Sequence, residues 1–301
     1  MVFQMNTYDT IGEILAENKE AVIIIDVQKK IYPHEQPYYN KRRDVNYQLS
    51  AALKYFMTKN EFNSVINDYI GINNAPFEEI GFLTDYGSGE IKKIGFVLDL
   101  CKETIRKAIL ENCDVLFCFH AKKSRVTLFK EDLQKGKLDV YVCHLPLNFA
   151  SNGIHKNMIE LFGLTGEPHF LQKDGDEIIG GLYAIHESKL LDELITHIRK
   201  VVKDTIKVYN PFEKEYKKIV FSSGSGCKDE IFDQIDCDCI ITGELKHGSI
   251  IKAQDKDITL IEIGHYESEA PALKKICEQI GGNLENVEVI FIENKPKMLL
   301  K

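Results

Sequence analysis

Three short runs of apolar, β-branched and aromatic residues end alike: VLFCFH closes on His120, VYVCH on His144 and LIEIGH on His265. Runs of this length and composition predict buried strands, and open α/β sheets bind their ligands at the carboxyl ends of strands. From Lys59 the runs alternate with helical patterns: helix EFNSVINDYIG, strands IGFLTDYG and IKKIGFVLDL, helix CKETIRKAILENC, strand VLFCFH, helix VTLFKEDLQKG and strand DVYVCHLPL. A helical stretch over 152–164 ends at Gly163 and Gly166, which marks a domain boundary. A second alternation follows: HFLQK, GGLYAIHE, helix SKLLDELITHIRKVV, strands IKVYN and KKIVFSSGSG, helix KDEIFDQI, strand CDCIITGE, a helix, strand ITLIEIGHY, helix APALKKICEQI and strand VEVIFIE. Strands separated by helices imply crossover connections and much parallel pairing. The pattern predicts two α/β domains with mixed or mostly parallel sheets that face one another. The first spans 59–150 and regains 285–301, the second spans 151–284, and 1–58 is an N-terminal extension with a strand at 21–26.

Composition removes some functions. With 44% hydrophobic and 28% charged residues the chain is ordinary for a globular protein, and a net charge of −8 disfavours nucleic acid and anionic membranes as partners. Unbroken apolar runs reach four or five residues, whereas a membrane span needs about 20. The start MVFQMNTYDT has no basic stretch followed by an apolar one, so a cytoplasmic location is expected. Eight cysteines, several inside apolar runs, predict reduced core thiols. Cys237 and Cys239 are either a soft-metal pair or alternate positions of one strand, and no second pair stands at zinc-ribbon spacing.

The sharpest candidate chemistry is ITLIEIGHYESEAPALKKI, where Glu269 follows His265 by four residues at a helix start. Across a tight turn an imidazole nitrogen and a carboxylate oxygen can converge on one divalent ion, with Glu267 as the alternative ligand. The competing reading is a hydrogen-bonded turn histidine and a glutamate that favours the helix N-terminus. His120 opens HAKKSR, so Lys122, Lys123 and Arg125 stand beyond a strand end and suit an anionic, phosphorylated substrate. Gly224 and Gly226 in FSSGSG make either a phosphate-binding turn or a tight connection, without a nucleotide fingerprint. In CDCIITGELKHGSI, Glu244 and His247 are either a helix start or cleft residues available for proton transfer.

The order strand, GSG turn, helix, then DCDCIITGELKH, then IEIGHYESE resembles the C-terminal half of the NIF-three-like family, whose members are also named GTP cyclohydrolase I type 2 homologues. The stretch PFEEIGFLTDYGSGEIKKIGFVLDLCKETIRKAI resembles that family's WDNVGL-type strand and crossover, so the likeness runs from Lys59 to Lys301. It implies a two-domain α/β protein, a toroidal homohexamer and a dinuclear metal site in the cleft between the domains. The family's ligands are two adjacent histidines, an aspartate four residues beyond the next strand's histidine, and the His and Glu of GHxxxE. His265 and Glu269 match the last pair. Phe119-His120 stands in place of His-His, and Asn148 in place of the aspartate.

Phenylalanine ligates no metal and an amide oxygen is a poorer ligand than a carboxylate. The resemblance therefore implies one Zn, Fe or Mn ion on His120, His265 and Glu269 with Asn148 in the fourth place, or two ions weakly held. The expected function is a metal-dependent hydrolase acting on a nucleotide or other phosphorylated small molecule, with Glu244 or His247 moving protons. The rival expectation is a non-catalytic oligomeric scaffold whose metal site has decayed.

Overall fold

Bulky apolar residues at successive positions of a strand require cover on both faces of its sheet. The computed structural model of the chain contains two such sheets. It describes residues 56–71, 80–165, 168–173, 177–233, 235–284 and 286–296, and, within the separate unit Met1–Lys54, the parallel pair β1 (Val2–Phe3) and β2 (Val22–Ile23). The rest of the expected extension, including its helices, lies outside the described residues.

The unit Tyr55–Lys301 begins with β3 (Met57–Thr58), α1 (Lys59–Ile70), β4 (Gly81–Phe82), β5 (Glu90–Ile91), β6 (Lys93–Asp99) and α2 (Lys102–Leu110). It continues through β7 (Val115–His120), α3 (Lys123–Leu128), α4 (Lys130–Lys135), β8 (Asp139–Val142), α5 (Leu145–Phe149) and α6 (Ile154–Leu161). Then come β9 (Pro168–Lys173), β10 (Glu177–Lys189), α7 (Leu191–Val201), β11 (Lys207–Tyr209), β12 (Tyr216–Ser222) and the 3-10 turn Asp229–Asp233. The chain closes with β13 (Cys239–Thr242), α8 (His247–Asp255), β14 (Thr259–Glu262), the 3-10 turn Tyr266–Ser268, α9 (Ala270–Gly282) and β15 (Glu288–Phe291).

The first sheet has the order β15-β6-β7-β8-β4, parallel except for β4. The second has the order β11-β14-β13-β12-β10-β9, with β12, β13 and β14 parallel and the others antiparallel. The α/β class with mixed sheets is the one the strand and helix alternation predicts. Among the described residues no helix is long and apolar enough to cross a membrane.

Alternation along each strand decides which core a residue joins. Phe96, Phe117, Phe119 and Tyr141 of the first sheet share one central cluster with Ile219, Phe221, Ile241 and Ile261 of the second. Helices α6 and α9 fill that cluster, packing on each other, α9 against β6 and β15 and α6 against β10 and β12. The intervening residues turn outward: Val97, Leu116, Cys118 and Val140 pack with α2, α3 and α4, and Val220, Ile240 and Leu260 with α8 and the 3-10 turn at 229–233. Buried Asp139 ties the loop before β5 to the first sheet. It accepts from Tyr86 N at 2.6 Å, Gly87 N at 3.2 Å and Thr84 Oγ1 at 3.2 Å, and pairs with Lys59 Nζ at 2.6 Å.

Several elements are shorter than their sequence patterns. IGFLTDYG pairs only at Gly81–Phe82, and KDEIFDQI forms a 3-10 turn. The stretch VTLFKEDLQKG splits into α3 and α4 at Phe129, whose ψ of 16° leaves the helical range. DVYVCHLPL stops as a strand at Val142, since Pro146 fits the first turn of the short helix α5, where its missing N–H costs nothing. Asn148 is therefore helical.

Candidate metal centre

Parallel register brings the strand ends together. Asp99 and His120 are neighbours across β6 and β7, and Ser222, Thr242 and Glu262 end β12, β13 and β14 level with one another. Backbone bonds extend the second alignment into the loops, with Ile263 N on Thr242 O at 2.9 Å, Gly264 N on Gly243 O at 3.0 Å and Glu244 N on Gly224 O at 2.9 Å. Gly264 then turns the chain at φ 95°, a conformation that favours glycine, into His265 and the 3-10 turn. Ser268 Oγ locks this corner by accepting from Gly224 N at 2.8 Å and donating to His265 O at 2.7 Å. That hydrogen bond occupies the Gly224 N–H, so the GSG turn serves as a tight connection at this position.

Two imidazoles from different sheets converge on one carboxylate oxygen. His265 Nε2 lies 3.2 Å and His120 Nε2 3.6 Å from Glu269 Oε2, and the potential ligand atoms of the three residues all lie within 4.8 Å of one another. Each ring is held from behind by a second carboxylate. His120 Nδ1 is 3.2 Å from Asp99 Oδ1, and His265 Nδ1 is 3.2 Å from Glu244 Oε2. Histidines that bind metals characteristically give their second N–H to a carboxylate, which fixes the tautomer and aims the free lone pair. The Glu269 side chain is 3% exposed, and among the described residues its Oε2 has no hydrogen bond of good geometry.

The charges agree with that geometry. The Glu269 carboxylate, helped by Glu244, holds the His265 imidazole up at about 9 against the opposing effect of burial. Burial tends to raise the Asp99 carboxyl, but the hydrogen bond and charge of His120 outweigh it, and the group lies below the ordinary carboxylate range. Space at the centre depends on Gly224, where φ is 54°. A Cβ there would sit 2.5 Å from Glu269 Oε1 and 2.9 Å from His265 Nε2. Two imidazoles, one buried carboxylate oxygen without a hydrogen bond and a glycine that leaves them room fit a divalent ion of borderline softness.

A cleft of about 810 Å³ opens on this group. Lys122, Lys123, His144, Glu244 and Tyr266 line it, and the His144 ring lies 4.9 Å from that of His120. The other expected residues lie elsewhere. Arg125 donates from Nε and Nη2 to Leu100 O, at 3.2 and 3.0 Å, and faces the neighbouring hollow beside Cys101. His247 is exposed at the first position of α8, and Glu267 is engaged by Lys295 at 2.9 Å. Asn148 is buried, with its Oδ1 accepting from Ser223 Oγ at 3.3 Å. Cys237, which precedes β13, and Cys239, its first residue, are buried free thiols in the outer and central clusters, so they are not alternate positions of one strand. Asp99 was absent from the sequence-based set, and its signal was the IGFVLD strand end next to that of VLFCFH.

Relatives match between three-quarters and four-fifths of the chain. A chain from Pyrococcus abyssi named GTP cyclohydrolase 1 type 2 homolog is 26% identical over 250 residues, covering 79% of this chain and 98% of its own. One of the same name from Archaeoglobus fulgidus is 27% identical over 241 residues, 76% of this chain and 94% of its own. Reduced HcgD from Methanocaldococcus jannaschii has the same fold, with a TM-score of 0.68 at 22% identity over 80% of this chain and 99% of that one. The model of the Duf34/NIF3 (NGG1p interacting factor 3) family matches residues 57–297, and the chain belongs to that family.

Proposed function

We propose that this protein is a metal-dependent hydrolase of phosphorylated small molecules, nucleotides among them, that holds one divalent ion on His120, His265 and Glu269. The observation that carries the reading is the convergence of both Nε2 atoms on the buried, otherwise unsatisfied Glu269 Oε2. An ion bound there supplies Lewis acidity toward a substrate oxygen. Asp99 and Glu244 keep the Nδ1 protons on the far side of each ring, so that both lone pairs face inward. Glu244, 55% exposed at the cleft, accepts and returns a proton, and Lys122 and Lys123 attract the anionic end of the substrate. The shared family name of the relatives supports a nucleotide substrate, and the family resemblance supports a homohexamer.

Elemental analysis and metal titration of the purified protein test this. About one equivalent of Zn, Mn or Fe per chain is expected, lost in His265→Ala, together with hydrolysis of members of a nucleotide and phosphoester panel. The reading fails if the wild-type protein takes up no metal and His265→Ala changes neither uptake nor hydrolysis. A second reading, a non-catalytic oligomeric scaffold, is favoured by Phe119, which is fully buried where the family places a ligand. Metal uptake without hydrolysis of any panel member would favour it.

A further inference from the structure

Beyond β15 the chain crosses the carboxyl end of the first sheet beside the metal centre, tied down at each residue. Ile292 N pairs with Phe96 O at 2.9 Å, and Lys107 Nζ donates to Glu293 O at 2.7 Å. Asn294 Nδ2 donates to Asp99 Oδ2 at 3.4 Å. Lys295 Nζ is paired with Asp204 and, at 2.9 Å, with Glu267 Oε1, and Pro296 lines the cleft. The segment thus bridges β6 and α2 on one side and the loops of the second sheet on the other.

The orientation of the Asn294 amide carries the argument. Its Oδ1 is buried and has no hydrogen-bond partner among the described residues, so the amide gains nothing there through its own carbonyl. Turning the amide over would set that oxygen against the Asp99 carboxylate, and only the observed orientation directs a donor at Oδ2. Asp99 is 45% exposed; its Oδ1 faces His120 Nδ1, and the Asn294 amide holds its other oxygen.

We propose that Asn294 is a positioning residue of the metal centre. It fixes Asp99, which in turn fixes His120 with the proton on Nδ1 and the Nε2 lone pair toward Glu269. Residues 293–296, latched by Lys295, form the strap that presents it. This rests on the reading of His120, His265 and Glu269 as a metal site, and it assigns the C-terminal segment a part in that site.

Asn294→Leu, which has the same heavy-atom branching and no donor, is compared with Asn294→Gln, which keeps the amide. Zinc affinity is measured by competition with a chromophoric chelator, and the His120 tautomer by nitrogen-15 imidazole shifts in metal-free protein. Removing an outer partner of a ligating histidine lowers metal affinity by about 10–100-fold, and Asn294→Leu, acting one residue further out, is expected at about 10-fold. His120 should pass from a single Nδ1–H tautomer to a mixture, with the melting curve unmoved, and Asn294→Gln should restore most of both. If Asn294→Leu does not fold, Asp204→Asn, which loosens the latch from outside the cleft, is read in its place. Unchanged affinity and an unchanged tautomer overturn the proposal. Should the wild-type protein bind no metal, the proposed function fails while the tautomer still decides this inference, a shift in Asn294→Leu supporting it and no shift overturning it.

Discussion

Gly224→Ala tests the candidate metal centre through one methyl group. The φ of 54° is costly for any residue with a Cβ, by about 1–2 kcal/mol. The same penalty applies at Gly71, where φ is 65° and, among the described residues, nothing lies within 4 Å of an added Cβ, so Gly71→Ala measures the backbone strain. At Gly224 the Cβ would also stand 2.5 Å from Glu269 Oε1 and 2.9 Å from His265 Nε2. The Gly224 backbone is held by its N–H on Ser268 and the His265 ring by Glu244, so relief must come from displacing the ligand atoms. Overpacking of this kind adds about 1–3 kcal/mol, which brings the expected loss for Gly224→Ala to about 2–5 kcal/mol. Urea unfolding of metal-free protein gives both losses, and zinc titration gives the functional effect. Gly71→Ala should bind metal as the wild type does, whereas Gly224→Ala should lose most of its affinity. Equal stability losses for the two variants, with metal binding intact in both, would refute the placement of Gly224 against His265 and Glu269.

Other perturbations read other parts of the molecule. His155 is wholly buried, donating from Nδ1 to Asn148 O at 2.8 Å and accepting from Ser223 N at 3.4 Å, and burial pushes its imidazole down to about 4 from 6.5. Its folded-state pKa is depressed, so the unfolded chain takes up the proton first. Stability is therefore complete above pH 6.5 and falls by about 3 kcal/mol as pH drops to 4, a slope that urea midpoints of metal-free protein should show and His155→Asn should flatten. Asp139→Ala strips the acceptor from two backbone N–H groups and leaves Lys59 without its buried partner, an expected loss of about 3–5 kcal/mol in chemical denaturation. A loss under about 1 kcal/mol would mean that the loop before β5 does not depend on Asp139. The double variant Phe119→His with Asn148→Asp should raise metal content from one equivalent toward two in elemental analysis. It should also cost about 3 kcal/mol in the metal-free state, because Phe119 belongs to the central core. Unchanged stoichiometry would sink the view that these two positions limit the site to one ion.

The legible features were local. Apolar runs exposed the strand ends, and the four-residue step from His265 to Glu269 exposed a pair joined by a single turn. What escaped the sequence was lateral. Asp99 faces His120 because β6 and β7 are neighbours in register, and Asn294 reaches Asp99 because β15 returns to the edge of the first sheet, pairings that no local pattern encodes. A helix start at Glu244 is one of the two sequence readings, but α8 begins at His247, so Glu244 is in the loop, where it turns toward His265.

Glu269 had two readings in the sequence, and magnitudes separate them. As a residue placed for the dipole of α9 it would gain about 0.3–1 kcal/mol, and up to about 2 when partly buried. The side chain is 3% exposed, however, and the effective cost of removing a carboxylate from water is several kcal/mol unless a cation compensates it. The helix end alone leaves a deficit. The compensation comes from the two imidazoles, whose nitrogens face one oxygen while Asp99 and Glu244 stand behind them, so three carboxylates surround two rings that are neutral unless protonated. An arrangement that raises His265 to about 9 holds a proton where no stronger cation is present. A divalent ion competes for the same lone pairs with twice the charge and without the steric limit of one proton between two nitrogens. The burial of Glu269 is thus better explained by a cation at the meeting point of the two sheets than by helix capping.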